Sequence, residues 1–254
     1  MIKKVLKNSI FHSILGAIIV FLLWFLFYFI VANTYLIPSP LLVIKESVLN
    51  FFSGEFYIHL LNTLLRVICA LFISVIVAVI LSILSSNFKT FENVMLPIIA
   101  IMRSLPILAV LLIIIVSMPR DIAPIIVCFL SIFPIIYSES LNYLNSIDSK
   151  QKEMLKIYNV PLKKQIFSVY LKGYLPLFIK QLTALFSFSL KLIVSAEILA
   201  NVFKSIGGDI SNASTYSNVL ELFSLTLIIC LIGIIVEFIG KFIYLKMEKK
   251  FRWK

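Results

Sequence analysis

Long apolar stretches separated by short polar intervals dominate the chain and set its predicted elements. The chain is 61% hydrophobic with a mean hydropathy of +1.07, whereas a soluble domain has about 45–50% apolar residues. Several stretches exceed the about 20 residues that a helix needs to cross a bilayer. The pattern predicts an all-α polytopic membrane protein without a soluble domain. Its six membrane-spanning helices are predicted at about 11–33, 60–84, 94–116, 122–144, 177–202 and 219–244.

The intervals between these spans carry residues that interrupt helices. Pro38 and Pro40 end the helical pattern after the first span, and residues 41–52 then have the periodicity of a short helix on the membrane surface. The other short intervals are predicted as a polar turn over 85–92, a tight turn over 118–121, and a loop over 203–218 with Gly207 and Gly208.

The basic residues orient the predicted spans. The net charge of +11 would suggest nucleic-acid binding in a soluble protein, but here the positions of the charges matter more. With a cytoplasmic N-terminus, 17 Lys and Arg fall in inner segments and three in outer ones, which are Lys45, Arg120 and Lys204. The positive-inside rule therefore places both termini and the long polar interval in the cytoplasm. The first apolar stretch is too long for a signal-peptide core and is predicted to be an uncleaved span.

The long polar interval, residues 145–176, predicts two short helices outside the membrane. Asp148 is a candidate helix cap with Gln151 three residues later. Asn159 and Pro161 favour a turn before the second, amphipathic helix. In the first helix, Met154, Leu155 and Tyr158 recur at helical spacing. Either the rest of the chain or another protein must cover this small apolar face.

Ionisable residues inside predicted spans are costly and are candidates for function. Arg66, Arg103, Lys191 and Glu197 are the main ones, while Glu139 and Glu237 lie nearer the cytoplasmic ends. Lys191 and Glu197 are about 120° apart around one helix, so each needs another partner, which for Glu197 is Arg66 or Arg103. The alternatives for such groups are an ion pair that locks helices together and contact with a substrate.

Pro106 follows Arg103 closely inside the third predicted span. Proline cannot donate a helical hydrogen bond, and a broken helix is tolerated in a membrane where it lines a cavity. A simple kink that serves packing is the alternative.

Catalytic, metal and cofactor motifs are absent from the sequence. It contains no GxxxxGK[ST] motif for ATP and no HExxH motif or nucleophile elbow. Cys69, Cys128 and Cys230 all lie in apolar stretches and suggest neither a disulfide framework nor a metal site. We therefore expect no cofactor and no enzymatic activity.

A set of short segments lies in a fixed order along the chain. The segments are Leu36–Pro40, Leu60–Val67, Arg103–Pro106, Glu153–Leu155, Asn159, Leu171-Lys172, Leu175-Pro176, Ala196-Glu197 and Arg252-Trp253. Together they resemble the membrane permease subunit of binding-protein-dependent ABC importers, in the branch that imports nitrate, sulfonates, taurine and thiamine precursors. The polar interval is similar to the family's cytoplasmic loop, with Met and Leu at the two Ala positions, Asn at the Gly and Lys at one Pro. Ser117-Met118-Pro119 departs from the Trp-Phe-Gly common in that branch.

The resemblance implies a type I ABC importer transmembrane fold in a bacterial inner membrane. It implies one permease domain over 1–254, with a core at about 60–245 and the interval 145–176 as its coupling loop. In that loop, Glu153, Met154, Leu155, Tyr158 and Asn159 are the implied contacts with a separate cytoplasmic ATPase. The other implied partners are an extracytoplasmic binding protein, which selects the substrate, and a second permease copy. The substrate is a small organic anion or a thiamine-precursor pyrimidine.

Two other classes of function remain open from the residues. A self-powered secondary transporter would need paired broken helices and an intramembrane ion relay, and the sequence shows no inverted repeat to provide them. A membrane scaffold would explain the polar interval but not the charges inside the spans.

Overall fold

The computed structural model describes residues 2–147, 154, 157–158, 160–161 and 172–251. Every regular element in these residues is an α-helix, which confirms the all-α expectation for this part of the chain. The helices are α1 (Ile2–Val31), α2 (Pro40–Asn50), α3 (Gly54–Asn87), α4 (Lys89–Ser104), α5 (Ile107–Ser117), α6 (Ala123–Ser146), α7 (Lys172–Ala200), α8 (Ile206–Thr215) and α9 (Val219–Phe251).

Four helices in the described residues are long and apolar enough to cross a membrane, and a fifth span results if α4 and α5 form one crossing. The four are α3, α6, Gln181–Ala200 of α7 and Val219–Leu245 of α9. In α1 the described apolar part, Leu15–Val31, is shorter. The chain is therefore a multi-pass membrane protein, and each predicted span corresponds in position to one of these helices or to the α4–α5 pair.

The third predicted span is broken at Pro106, which is one of the two alternatives that the sequence left open. α4 ends at Ser104, α5 begins at Ile107, and the two helices are bent by 92°. Leu105 has ψ 127°, the extended geometry that a following proline imposes on the preceding residue. Pro97 lies inside α4 without ending it, so the break depends on Pro106.

The predicted loop over 203–218 was wrong in its centre, where the structure has α8. Ser205 starts this helix, since its hydroxyl oxygen accepts a hydrogen bond from the Gly208 N–H at 2.9 Å. The glycines serve close packing, because a Cβ on Gly208 would overlap the Val202 carbonyl oxygen. The polar turn over 85–92 is also shorter than expected, since Phe88 alone separates α3 from α4.

The helices divide into two compact units, whose boundary passes through α3, α8 and α9. The first unit contains α1, α2 and the segment Asp209–Ile228. In it, the Trp24 and Phe223 rings stack with centroids 5.9 Å apart, and Asn50 donates to the Ser224 hydroxyl at 2.9 Å. Asn218 begins α9 by accepting from the Glu221 N–H while its amide donates to the Glu221 carboxylate.

The second unit contains the described residues of Ile58–Gly208 and of the chain from Ile229 onward. Within it α6 packs against α7, α5 and α4. Buried apolar side chains pack α5, α6 and α7 against each other. Buried residues at their contact are Leu111, Ile114, Ala123, Val127 and Ala196.

Two polar contacts at different levels of α3 fix the direction of α6. The Arg66 guanidinium lies 2.9 Å from Asp121, directly before α6. Nineteen residues further along α3, the Ser85 hydroxyl lies 2.6 Å from the Tyr137 hydroxyl of α6. The two helices therefore run parallel, and α4 and α5 together return the chain from the Ser85 end to the Arg66 end.

α7 and α9 run antiparallel in the same unit. The Ser187 hydroxyl of α7 donates to the Gly233 carbonyl of α9 at 3.0 Å. Thr183, one turn earlier in α7, lies against Gly240, two turns later in α9, so closely that a Cβ at Gly240 would overlap it. Small and hydroxyl-bearing residues thus let these two helices approach, as is common between helices in membranes.

Candidate functional site

Glu197 near the end of α7 is the centre of a polar network in the second unit. Its side chain has no exposed surface. One carboxylate oxygen accepts from the Arg66 guanidinium at 2.8 Å. The other accepts from the Thr63 hydroxyl at 2.9 Å and from the Gly207 N–H at 3.1 Å. The carboxylate thus has three donors, which is the arrangement that makes a buried charge tolerable.

Arg66 links this buried carboxylate to an exposed one. Its second terminal nitrogen donates to Asp121 at 2.9 Å, and the Asp121 side chain is 73% exposed. The Thr63 oxygen also accepts from the Ile206 N–H at 3.1 Å. The network therefore ties α3, the turn before α6, the end of α7 and the first residues of α8.

Gly207 allows this contact because it has no side chain. A Cβ at this position would overlap the Cβ of Glu197 and would lie 2.7 Å from the Val194 carbonyl oxygen. The Gly207 backbone can therefore approach Glu197 closely enough to donate to it. In the sequence, the adjacent Gly207 and Gly208 after a span suggested a loop. In the structure they instead allow close packing.

Arg66 and Arg103 were the two partners predicted for Glu197, and in the structure Arg66 forms the ion pair with it. Sequence reasoning missed Thr63, Asp121 and Gly207, because nothing in their local pattern shows that they meet Glu197. Since the Glu197 carboxylate is enclosed and fully hydrogen-bonded, its geometry is that of an ion pair that holds helices together.

Arg103 lies elsewhere, at the break between α4 and α5. It is exposed, and one of its terminal nitrogens donates to the Pro134 carbonyl of α6 at 3.3 Å. Lys191 of α7 is also exposed, and no acidic group in the described residues forms an ion pair with it.

A cavity of about 160 Å³ opens at this break. Its walls are mostly apolar, with one cationic side chain and one hydroxyl, and it contains no acidic residue. The lining residues are Met102, Arg103, Leu105, Ile107, Val110, Val127, Leu130, Ser131 and Ile135. The expected association of a broken helix with a cavity therefore holds here, although Pro106 itself is not among the lining residues.

Of the five residues predicted to contact an ATPase, Glu153, Leu155 and Asn159 lie outside the described residues. Met154 and Tyr158 are described, and the Tyr158 N–H donates to the Met154 carbonyl at 3.0 Å. This bond is the i to i−4 bond of one helical turn. Their side chains are 56% and 74% exposed.

A protein-family model describes a binding-protein-dependent transport system inner membrane component, and it matches residues 70–253. The chain belongs to this family. The match includes the broken helix, the polar interval 145–176 and Glu197, while Thr63 and Arg66 precede it. A search of individually curated proteins gives no match. The chain is thus a permease component of an ABC importer, a transport protein whose family works with an ATPase and a binding protein.

Proposed function

We propose that this permease forms the translocation pathway of an importer in the nitrate, sulfonate, taurine and thiamine-precursor branch, and couples it to a separate ATPase. The observation that carries the proposal is the family match over residues 70–253, which includes both the candidate pathway and the polar interval. The segments that resemble the branch, such as Arg103–Pro106, support the finer assignment. The substrate class is a small organic anion or a thiamine-precursor pyrimidine.

We further propose six spans in one domain over residues 1–254, with both termini in the cytoplasm. Because α3 and α6 run parallel, α4 and α5 must recross the distance between Ser85 and Arg66. Those 19 residues of helix measure about 28 Å, close to the about 30 Å thickness of the hydrocarbon core. This favours one broken span over a re-entrant loop. With α1 it gives six spans.

Cysteine labelling tests this topology. A cysteine at Ser149, in the polar interval, should react only with reagent added from the cytoplasmic side. On the outer side Phe203 is a suitable position, since it is 80% exposed, whereas the neighbouring Ser205 is buried and caps α8. Phe203→Cys should react only from outside. Reaction of both cysteines from the same side would contradict six spans.

The exposed Met154 and Tyr158 side chains support the role of the polar interval as a docking element. Met and Tyr are enriched in protein–protein interfaces, and both residues are exposed here. Lys150, Lys152 and Lys156 are their neighbours in the sequence. We therefore propose that Glu153, Met154, Leu155, Tyr158 and Asn159 contact the ATPase, so that its closure on ATP moves the spans.

The assembly follows from the number of coupling loops. One permease chain supplies one loop, whereas a closing pair of ATPases presents two docking surfaces. We expect the purified complex to contain two ATPase subunits with either two copies of this chain or one copy and a close paralogue, measured by native mass spectrometry. A complex with one ATPase and a single copy of this chain, and no second permease, would refute the proposal.

A self-powered secondary transporter is the second candidate, because half-helices at a break are a feature of that class. That class would have a matching break in each half of the chain. Within the described helices, α4 and α5 are the one bent pair that passes as a span, so the importer remains the better-supported function.

A further inference from the structure

We propose that α4 lies along the cytoplasmic leaflet of the membrane, in the plane of the bilayer, with phospholipid acyl chains against one exposed face and headgroups against another. The break at Pro106 then separates an in-plane helix from a membrane-crossing one. The inference rests on the proposed topology only for the choice of leaflet. It does not depend on what the protein transports.

The direction of α5 is the first argument. Its first residue, Ile107, lines the same cavity as Leu130 of α6, and residues 118–122 alone separate its last residue, Ser117, from Ala123 at the start of α6. α5 therefore runs antiparallel to the first part of α6. Because α6 crosses the membrane, α5 runs along the membrane normal as well, and its 11 residues measure about 16 Å.

The bend at the break turns α4 away from this direction. The two helices are bent by 92°, and a helix perpendicular to the membrane normal lies in the membrane plane. α5 therefore makes the larger part of the crossing of about 28 Å between Ser85 and Arg66, and α4 connects the end of α3 to the start of α5 along the leaflet.

The contacts at the two ends of α4 agree with this orientation. α4 begins four residues after Ser85, which contacts Tyr137 of α6. At its other end Arg103 donates to the Pro134 carbonyl, and Pro134 is three residues before Tyr137, about 4–5 Å along α6. The 16 residues of α4 measure about 24 Å. Even allowing for the length of an arginine side chain, α4 advances across the membrane by clearly less than its own length.

The side chains of α4 form one buried and two exposed faces, since successive residues of a helix are about 100° apart around its axis. Met95 and Ile99 are buried against the protein. Val94, Ile98 and Ile101 lie within about 60° of each other on a second face and are 55%, 43% and 60% exposed. This second face, the apolar face, has no polar side chain among its three residues.

The third face, the polar face, consists of Lys89, Asn93, Ala100 and Ser104. These residues lie within about 60° of each other and about 120° from the apolar face, and all four are exposed. Leu96, at the margin of the polar face, is the exposed apolar residue there. Separate apolar and polar exposed faces along one helix are the pattern of helices that lie in the membrane interface.

Phospholipid fits both exposed faces at once. α4 begins close to Ser85, at one end of a crossing of about 28 Å that matches the hydrocarbon thickness of about 30 Å, so it lies where acyl chains meet headgroups. Acyl chains then contact the apolar face, while Lys89, whose side chain is 77% exposed, extends toward headgroups and water. A protein docked from the cytoplasm would cover the polar face and leave the apolar face against lipid.

The depth of spin labels in the bilayer, measured by electron paramagnetic resonance, tests this orientation. The full chain, with its native cysteines replaced by Ala, is placed in lipid nanodiscs with its ATPase and carries one labelled cysteine at a time. Collisions with O2, which concentrates among acyl chains, and with a water-soluble nickel chelate report the depth of each label. The variants are Val94→Cys, Ile98→Cys and Ile101→Cys on the apolar face, and Asn93→Cys and Ala100→Cys on the polar face.

We expect the apolar-face labels to differ in depth by less than about 5 Å, half of the about 10 Å that seven residues of a crossing helix span. The polar-face labels should collide with the nickel chelate at least about threefold more often than the apolar-face labels. All five positions are exposed, which limits damage to packing. Asn93 and Ala100 are also seven residues apart, so they give the same depth comparison if an apolar-face variant does not fold.

The control positions are on α3, which crosses the membrane. Leu61, Leu65 and Ile68 repeat the spacing of the apolar face and are 59%, 49% and 53% exposed, and their labels should differ in depth by about 10 Å. A change of that size between Val94 and Ile101 would overturn the proposal. Apolar-face labels that collide with neither reagent would also overturn it, because protein would then cover that face. The measurement needs no transport, so it is independent of the import function.

Discussion

Glu197→Ala is expected to cause a large loss of stability. It removes the acceptor for Arg66, Thr63 and the Gly207 N–H at once. Removing one member of a buried ion pair costs about 3–5 kcal/mol. Arg66 keeps Asp121 as a partner, whereas the buried Thr63 hydroxyl and Gly207 N–H lose their acceptor. The midpoint of thermal unfolding of the purified protein should fall by roughly 6–20 °C.

Glu237→Ala is the matched control for this substitution. Glu237 is an exposed glutamate in α9, and exposed substitutions usually change stability by within about 0.5 kcal/mol. Glu197→Gln keeps the side-chain size and one oxygen acceptor, so its midpoint of thermal unfolding should lie between those of Glu197→Ala and Glu237→Ala. If Glu197→Ala unfolded within about 2 °C of the wild type, the network would not hold these helices together.

Glu153→Ala is expected to have the largest effect on transport. If Glu153 meets a cation in a desolvated groove of the ATPase, its loss leaves that cation unpaired and costs about 2–5 kcal/mol of binding. Affinity for the ATPase, measured by titration of the purified subunit, would then fall by roughly 30-fold to several thousand-fold. Pairing with Lys150 or Lys156 on its own helix would contribute only about 0.2–0.5 kcal/mol.

Membrane insertion and dimer formation should stay intact in Glu153→Ala. Leu155→Asp should weaken ATPase binding as well, because it places a charge in the apolar contact. Lys163→Ala, on the same interval, is the control and should change little. Normal uptake by Glu153→Ala with the ATPase still bound would show that Glu153 is only a surface charge and that the docking helix is assigned wrongly.

The positions of the long apolar helices in the described residues could be predicted from the sequence, because their apolar stretches are visible in it. α2 was also predictable as a short helix, since Pro40 starts it and an apolar periodicity follows. The angle at Pro106 was not, because a proline in a span permits either a modest kink or a break. The 92° bend depends on how α4 and α5 pack on α6.

The charged residues of the network could be named from the sequence, but their arrangement could not. Glu197 and Arg66 stood out because charges inside apolar stretches are rare. Thr63 and Gly207 have no distinctive feature in their own segments. Their role comes from hydrogen bonds to Glu197, which is 134 residues from Thr63 and 10 residues from Gly207. The α8 helix was missed because glycine disfavours helices, while the close approach to Glu197 and Val202 requires glycine there.

The most direct test of ATP-driven import is uptake into proteoliposomes that contain this chain and its ATPase. The ligand is the one found by mass spectrometry on the partner binding protein, and that binding protein is added on the extracytoplasmic side. We predict uptake only with ATP on the cytoplasmic side and the binding protein on the other, and none with Glu153→Ala. Uptake by this chain alone, driven by an ion gradient without ATP or the ATPase, would contradict the assignment.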